Sequence, residues 1–310
     1  MKANRIHQFG PPDVIVFEDV DRPVAGEGEV LVRVKASGVG PWDGWIREGK
    51  SVLPQPLPLT LGSDLSGVIE EVGIGVDDFK VGDEVFGVAN PRFTNANAEY
   101  AVVSARMIAR KPKGITDVEA ASLPVVAVTA WQMLFDHGGI QSGQTVLILG
   151  AAGSVGSYAV QLARSAGARV VATASSKDAD YVRSLGAERV IDYRAEFPTR
   201  DDVGPVDLVL DGVGGEAQGR ALAVVRPGGR LVSIVSQPDQ SEAERLGVKA
   251  TFMLVDVTCA ALTSIAEFIE AGKLKTEVGT VLPLSELRQA HEMLEGARPK
   301  ARGKIVLTGS

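Results

Sequence analysis

Cysteine is almost missing from this chain of 310 residues, in which Cys259 is the only one. A single cysteine excludes an intramolecular disulfide and any zinc or iron–sulfur site built from several thiolates, and it favours a reducing compartment. Histidine is also scarce, because His7, His137 and His291 are scattered and no two are spaced as a pair of metal ligands. The sequence therefore predicts no metal site.

Long apolar runs and clusters of basic residues are missing as well. No uncharged apolar stretch reaches the length of about 18 residues that a membrane-spanning helix needs, and residues 1–10 lack the apolar core of a secretion signal. The formal net charge of −7 and a pI near 5.2 argue against nucleic acid and anionic lipid as partners, since both bind clustered Lys and Arg. We expect a cytoplasmic protein with no membrane partner.

The sequence does contain a clear change of pattern near residue 118. Before it, alternating segments such as 30–35 and 67–72 are separated by Gly, Pro and Asp, which predicts a β-rich domain. After it, helical patterns alternate with short apolar strands, which indicates βαβ units and a parallel sheet. The six strand candidates match a doubly wound sheet, and they are 146–149, 170–173, 190–192, 208–211, 231–234 and 251–255.

The last part of the chain departs from this alternation of helices and strands. Its pattern predicts a helix over 260–271, a second helix over 285–294 and a final strand over 304–307. The pattern alone leaves open whether this tail extends the parallel sheet or returns to the first domain.

A strand, a glycine-rich turn and a helix follow one another between residues 146 and 163. The turn contains Gly150, Gly153 and Gly156. Glycine lets the backbone turn tightly and approach a pyrophosphate, whose charge then lies at the helix N-terminus. Glycine also occurs in such connections for turn geometry alone, but the order of elements favours a dinucleotide site.

The following strand bears on the choice of cofactor. A site selective for NAD usually ends this strand, about 20 residues on, with an Asp or Glu that holds the ribose 2′-hydroxyl. Here Ser175, Ser176 and Lys177 stand in that region, with no carboxylate where one is needed. The small hydroxyl residues and the lysine favour NADPH over NADH, although Lys177 also fits a solvated lysine at a helix start.

Short motifs recur in one order along nearly the whole chain. They lie at 38–43 with 47–49, 61–67 with 72–73, 81–85, 123–124 with 129–131, 150–156, 186–187 with 192–193, 227–230 and 303–306. Together they resemble the medium-chain dehydrogenase/reductase superfamily, and specifically its zinc-free, zeta-crystallin-like quinone oxidoreductase branch. Their collinear order is far more specific than any single motif.

This resemblance implies an α/β fold with two domains. A GroES-like catalytic β domain would comprise residues 1–117 and the C-terminal return 259–310. A Rossmann NADP-binding domain with a doubly wound, parallel, six-stranded sheet would comprise 118–258. The resemblance also implies an active site in the cleft between them and a homodimer joined through the last strand of the nucleotide sheet, near 251–255.

The resemblance also bears on zinc. Zinc-using relatives carry a catalytic cysteine just after the early Gly-Val stretch and a Gly-His-Glu motif near residue 62. This chain has Gly40 at the first place and Ser63 and Asp64 at the second. Zinc therefore lacks its thiolate and imidazole ligands, and alcohol oxidation, which depends on zinc as a Lewis acid, loses its main support.

The resemblance further implies a set of residues that contact NADPH, with Lys177 and Tyr193 flanking the 2′-phosphate. Trp45 stands where relatives often have a tyrosine beside the nicotinamide, and Gly40 replaces a frequent asparagine. Candidate pocket residues are Gly40, Asp43, Trp45, Ser63 and Asp64, and none is a firm proton donor. The full cofactor set is Trp45, Thr129, Ala152, Gly153, Ser154, Val155, Gly156, Ser175, Lys177, Tyr193, Gly212, Val213, Ile234, Val235, Ser236, Met253, Leu254 and Val255.

The expected activity is reduction of a small electrophile, a quinone or an α,β-unsaturated ketone or aldehyde, by hydride from NADPH. Hydride transfer mainly needs two carbons held about 3–3.5 Å apart in a site with little water. Trp42 and Trp45 fit core packing and pocket lining equally well. An enoyl-thioester reductase is an alternative, but such relatives usually keep a tyrosine donor after Arg47 and residues 50–56 contain none. A non-catalytic NADPH-binding or sensing protein is the alternative of another class.

Overall fold

The computed structural model describes residues 1–195 and 197–309. The chain forms two compact units, of which the first comprises Met1–Val125 and Val257–Ser310 and the second Val126–Asp256. The divisions at 117/118 and 258/259 that the resemblance implies stay predictions.

The first unit is built on β-sheets. Numbered along the chain, its strands are β1 (Lys2–Ile6), β2 (Val16–Asp19), β3 (Glu29–Val39), β4 (Leu59–Thr60), β5 (Asp64–Val72), β6 (Glu84–Val88), β7 (Tyr100–Ser104), β8 (Ile108–Arg110), β15 (Val278–Pro283) and β16 (Lys304–Thr308). A seven-stranded sheet has the order β15-β16-β3-β5-β6-β8 with β7 also paired to β3, and a three-stranded sheet has the order β2-β1-β4.

The C-terminal strand completes the sheet of the first unit. β16 pairs antiparallel with β3 and parallel with β15, so residues from both ends of the chain share one sheet. Apolar side chains that alternate along β3, including Val30, Val32 and Val34, pack with Leu65 and Ile69 of β5 in a buried cluster. The tail, which the pattern alone left open, thus returns to the first unit.

No strand was predicted at β15 and no helix at α1, whereas the two late helices were predicted over 260–271 and 285–294. β15 is an edge strand interrupted by Gly279 and ended by Pro283, both of which weaken the strand pattern. The helices of this unit are α1 (Pro41–Arg47), α2 (Asp117–Ala121), α9 (Cys259–Glu270) and α10 (Leu287–Leu294), and α3 (Pro124–Trp131) crosses the unit boundary.

The second unit contains a parallel sheet flanked by helices. Its strands are β9 (Thr145–Leu149), β10 (Arg169–Ala174), β11 (Arg189–Asp192), β12 (Val206–Asp211), β13 (Val225–Ser233) and β14 (Lys249–Phe252). Its helices are α4 (Ser154–Ser165), α5 (Ala179–Leu185), α6 (Arg200–Val203), α7 (Gly215–Leu222) and α8 (Gln240–Leu246), with a π-helical segment at Gln132–His137. The strand order is β11-β10-β9-β12-β13-β14, which is the order of a Rossmann sheet and confirms the predicted fold class.

The middle of the parallel sheet is its core. Leu147 of β9 lies opposite Val171 of β10 and Val209 of β12, and these residues join Leu231 of β13 in one buried cluster. Six strands were predicted and six are present, but the last predicted one was misplaced. Residues 253–255 continue the apolar run without continuing β14, and Leu254 is exposed.

The described ranges contain no helix with both the length and the apolarity needed to cross a bilayer.

Candidate active site

The glycine turn of the second unit links β9 to α4. Gly150 has a φ of +73°, a conformation that favours glycine. A Cβ atom on Gly156 would lie 2.3 Å from the carbonyl oxygen of Gly150. Only glycine therefore allows the first turn of α4 to pack this closely on the strand that precedes it.

This turn fits a pyrophosphate group. α4 begins at Ser154 with Gly153 as its N-cap residue, and the first N–H groups of a helix have no acceptor within the helix. These donors and the helix dipole favour an anion at that position. Ala152 and Gly153 bring no bulky side chain into the turn, so the residues present fit the phosphates of a dinucleotide.

The predicted cofactor residues of the second unit share one position in the sheet. Apart from Thr129, which is buried in α3, each follows the carboxyl end of a parallel strand, and we call this edge of the sheet the carboxyl edge. They are Ala152, Gly153, Ser154, Val155 and Gly156 after β9, Ser175 and Lys177 after β10, Tyr193 after β11, Gly212 and Val213 after β12, Ile234, Val235 and Ser236 after β13, and Met253, Leu254 and Val255 after β14.

A parallel sheet of this order binds ligands at its carboxyl edge, where the strand order reverses. That reversal lies between β9 and β12, which carry the glycine turn and the Gly212 loop. The predicted contacts therefore lie along the edge that the topology favours.

A buried carboxylate organises two loops of the carboxyl edge. Asp211, the last residue of β12, is fully buried. Its Oδ1 accepts hydrogen bonds from the backbone N–H groups of Val213 (2.9 Å) and Gly214 (2.8 Å). Its Oδ2 accepts from the hydroxyl of Ser233 (2.8 Å) and the amide of Gln218 (2.9 Å).

The same network reaches the loop after β13. The Gln218 amide also donates to the carbonyl of Ser236 at 2.9 Å, and the Ser233 hydroxyl accepts from the Val235 N–H at 3.2 Å. Asp211 is not among the predicted site residues, although an aspartate that ends a buried apolar strand has to meet hydrogen-bond donors.

Two cations follow the adjacent strands β10 and β11. Lys177 is exposed, and the Arg194 guanidinium carbon lies 5.7 Å from the ring centroid of Tyr193, itself 52% exposed. The hydroxyl of Ser175 donates to the carboxylate of Asp178 at 2.5 Å. Arg194 and Asp178 are not among the predicted site residues.

The predicted polar residues of the first unit, Asp43, Ser63 and Asp64, are fully buried, and each accepts a hydrogen bond from a neighbouring group. The Asp64 carboxylate accepts from the ammonium group of Lys304 (2.9 Å) and from the backbone N–H of Val125 (3.1 Å). Asp43 Oδ2 accepts from the Gly40 N–H at 2.7 Å. Burial raises the pKa of the Asp43 carboxyl to about 7, although this hydrogen bond and Lys304 oppose the shift.

Trp42 connects several of these residues. Its indole Nε1 donates to the hydroxyl of Ser63 at 2.8 Å, and the ammonium group of Lys304 lies 4.1 Å from its ring centroid. We call Trp42, Ser63, Asp64 and Lys304 the Trp42 cluster. Trp45, in contrast, is 58% exposed.

The residues at the zinc positions of zinc-using relatives do not fit a zinc ion. Gly40 has no side-chain ligand, Ser63 accepts a hydrogen bond from Trp42, and Asp64 is paired with Lys304. Within residues 1–195 and 197–309, no three His, Cys, Asp or Glu side chains are grouped to hold a metal ion.

The fold and the carboxyl edge together define a dinucleotide-binding Rossmann protein with an added β-unit. Two family models match the chain, "Alcohol dehydrogenase GroES-like domain" over residues 26–113 and "Zinc-binding dehydrogenase" over residues 185–307.

Known proteins resemble the chain over almost its full length. The mitochondrial NAD(P)H oxidoreductase of Homo sapiens is 32% identical, covering 99% of this chain and 89% of that protein. The chloroplastic NADPH-dependent alkenal/one oxidoreductase of Arabidopsis thaliana is 33% identical, covering 99% of this chain and 79% of that protein. The solved quinone oxidoreductase of Coxiella burnetii superimposes with a TM-score of 0.91 at 33% identity, covering 99% of both chains.

The chain belongs to the medium-chain dehydrogenase/reductase superfamily and to its zeta-crystallin-like quinone oxidoreductase branch. The predicted family is thereby confirmed. The protein is an oxidoreductase, and its cofactor is a nicotinamide dinucleotide.

Proposed function

We propose that this chain uses NADPH to reduce small conjugated carbonyl compounds, quinones or α,β-unsaturated ketones and aldehydes, without a metal ion. The observation that carries the proposal is the alignment of the glycine turn and the predicted cofactor residues along the carboxyl edge. The alkenal/one and quinone oxidoreductases among its relatives support the substrate class.

When bound, the nicotinamide supplies the hydride, and the chain positions it. The N-terminus of α4 binds the pyrophosphate, and the Asp211 network fixes the loops after β12 and β13. Positioning of this kind supplies much of the rate of a hydride transfer. The reduced carbonyl oxygen takes its proton from water in the case of a quinone.

The choice of NADPH rests on Lys177 and Arg194, which follow adjacent strands and can face a 2′-phosphate. We expect Lys177→Ala and Arg194→Ala each to raise the KM for NADPH by roughly 10-fold or more, because each removes a charge-assisted contact, and to leave the KM for NADH unchanged. Arg169→Ala is the matched control, since Arg169 is exposed at the amino end of β10, the strand that Lys177 follows at its carboxyl end. Equal effects on both cofactors would contradict a 2′-phosphate site.

The first experiment is the oxidation of NADPH, followed by absorbance, with protein freed of metal by chelation. The acceptors are quinones, short enones and an enoyl thioester, and NADH is run in parallel. Turnover of quinones or enones in the presence of chelator supports the proposal. A requirement for added zinc overturns it, preference for the thioester indicates an enoyl-thioester reductase, and NADPH binding without any turnover indicates a sensing protein.

The finer organisation is part of the same proposal. A GroES-like catalytic domain comprises 1–117 with 259–310, the Rossmann domain comprises 118–258, and β14 is the edge strand through which two copies pair. Light scattering on a size-exclusion column tests the homodimer, and a monomer mass at micromolar concentration contradicts it. The cytoplasmic location stays a prediction, since the human relative is named as mitochondrial.

A further inference from the structure

The side chain of Trp42 is held at three points. Its Nε1 donates to Ser63, its ring faces the ammonium group of Lys304, and its six-membered ring lies against Gly40. A Cβ atom added to Gly40 would lie 2.3 Å from Trp42 Cη2. Gly40 therefore makes room for the indole, and the asparagine frequent in relatives has no space beside it.

The cation that holds the ring is itself fixed. Lys304 is 4% exposed and donates to the fully buried Asp64 at 2.9 Å. A buried ammonium group with a buried carboxylate partner has few alternative positions, so the indole rests against a rigid group.

Trp42 is also the one member of its cluster with appreciable exposed surface. Ser63 and Asp64 are fully buried and Lys304 is nearly so, whereas Trp42 is partly exposed. A rigid aromatic surface binds a flat ligand with little loss of side-chain freedom, and conjugated rings stack on it favourably. The polar groups at positions 63 and 64 serve to hold this surface.

We propose that Trp42 is a specificity-determining residue, whose fixed indole sets the width of the acceptor site and selects flat, conjugated substrates of limited size. The indole spans Gly40 and Ser63, two of the residues that the resemblance predicts to line the acceptor pocket. This inference rests on the proposed function. To that function it adds the residue that limits the size of the acceptor.

The test compares a one-ring acceptor, benzoquinone, with a three-ring acceptor, phenanthrenequinone. In Trp42→Ala we expect the ratio of kcat/KM for the larger over the smaller acceptor to rise by about tenfold, the scale of pocket-size discrimination, while the KM for NADPH stays unchanged. Trp42→Phe keeps an aromatic ring, so its ratio should lie between those of the unmodified protein and of Trp42→Ala. Trp131→Phe is the control, and its ratio should equal that of the unmodified protein.

A folded Trp42→Ala variant with an unchanged ratio overturns the proposal, and so does an equal loss for both acceptors, because a merely structural role predicts that result. Circular dichroism and NADPH titration establish that each variant is folded. If Trp42→Ala does not fold, the ratio in Trp42→Phe decides by the same criterion.

A second measurement does not depend on turnover. Naphthoquinone is titrated without NADPH while the tryptophan emission is recorded. In a Trp45→Phe background, which removes the other tryptophan of α1, we expect saturable quenching that is lost on adding Trp42→Phe and kept on adding Trp131→Phe. Quenching that survives the loss of Trp42 in this background contradicts the proposal. If the unmodified protein turns over no acceptor, the proposed function fails on that result while this titration still tests Trp42.

Discussion

Raising the pH from about 4 to about 7 should destabilise the first unit, because the buried Asp43 carboxyl has to keep a proton there that the unfolded chain releases. Asp43 is fully buried, its Oδ2 has one donor, and its Oδ1 has no hydrogen-bond partner among the described residues. Its pKa is raised from 3.8 to about 7 by burial. The folded protein therefore keeps a proton on Asp43 at a pH where the unfolded chain has released it.

The sign and size of the effect follow from this difference in bound protons. A group with a raised pKa contributes stability that is fully present below its unfolded pKa and is lost as the pH rises through its folded pKa. The free energy of unfolding falls by about 1.4 kcal/mol per pH unit across that window. Over about three units the loss approaches about 4 kcal/mol, a large part of the 5–15 kcal/mol typical of a folded protein.

The assay is urea unfolding of the unmodified protein and of Asp43→Asn at several values between about pH 4 and about pH 8. The amide keeps an acceptor for the Gly40 N–H but cannot ionise. We expect the stability of the unmodified protein relative to Asp43→Asn to fall steadily as the pH rises. Two parallel stability curves over this range would refute the reasoning, because they would show that Asp43 binds the same number of protons in both states.

Three further predictions concern the buried pair and the carboxyl edge. Lys304→Met should lower the free energy of unfolding by about 3–5 kcal/mol, because Asp64 keeps a buried charge without its cation. Adding Asp64→Asn should restore part of the lost stability in the same urea titration, and a Lys304→Met variant as stable as the unmodified protein would contradict the prediction. Gly156→Ala should weaken NADPH binding at least about tenfold in a fluorescence titration, since the new methyl group displaces α4; unchanged affinity would show that the turn does not hold the cofactor. Asp211→Asn should raise the KM for NADPH roughly tenfold, because it releases the loops after β12 and β13. Asp207→Asn, at the amino end of the same strand, is the control and should alter only thermal stability. Equal KM values for the two variants would contradict a role of the Asp211 network in cofactor binding.

Sequence patterns predicted the second unit well because each of its parts has a local signal. Strands of a parallel sheet are buried on both faces and read as short apolar runs, and glycine after α4 and α5 marks the helix ends. Gly167 and Gly186 indeed have positive φ values of +78° and +121°. An apolar run indicates that a strand is present but not the residue at which it ends, which is why the last predicted strand extends beyond Phe252, the end of β14.

The side-chain networks could not be predicted in this way. The partner of Asp64 is Lys304, 240 residues further along the chain, and no local pattern states which buried polar groups meet. Ser63 and Asp64 were predicted as pocket groups on residue type and motif position alone, and the structure shows both engaged within the Trp42 cluster. The glycine turn was identified because its chemistry belongs to the backbone, and backbone geometry leaves a signature in the sequence.

The position of β16 has a consequence for the growing polypeptide on the ribosome. The second unit is one continuous segment, so a nascent chain can complete it once residue 256 has emerged. The first unit waits for Thr308, because β16 covers residues 36–39 of β3 and brings the cation that Asp64 requires. Until then, residues 1–125 present the unpaired edge of β3 and an Asp64 without its cation. At this stage chaperones would protect the nascent chain from edge-to-edge aggregation.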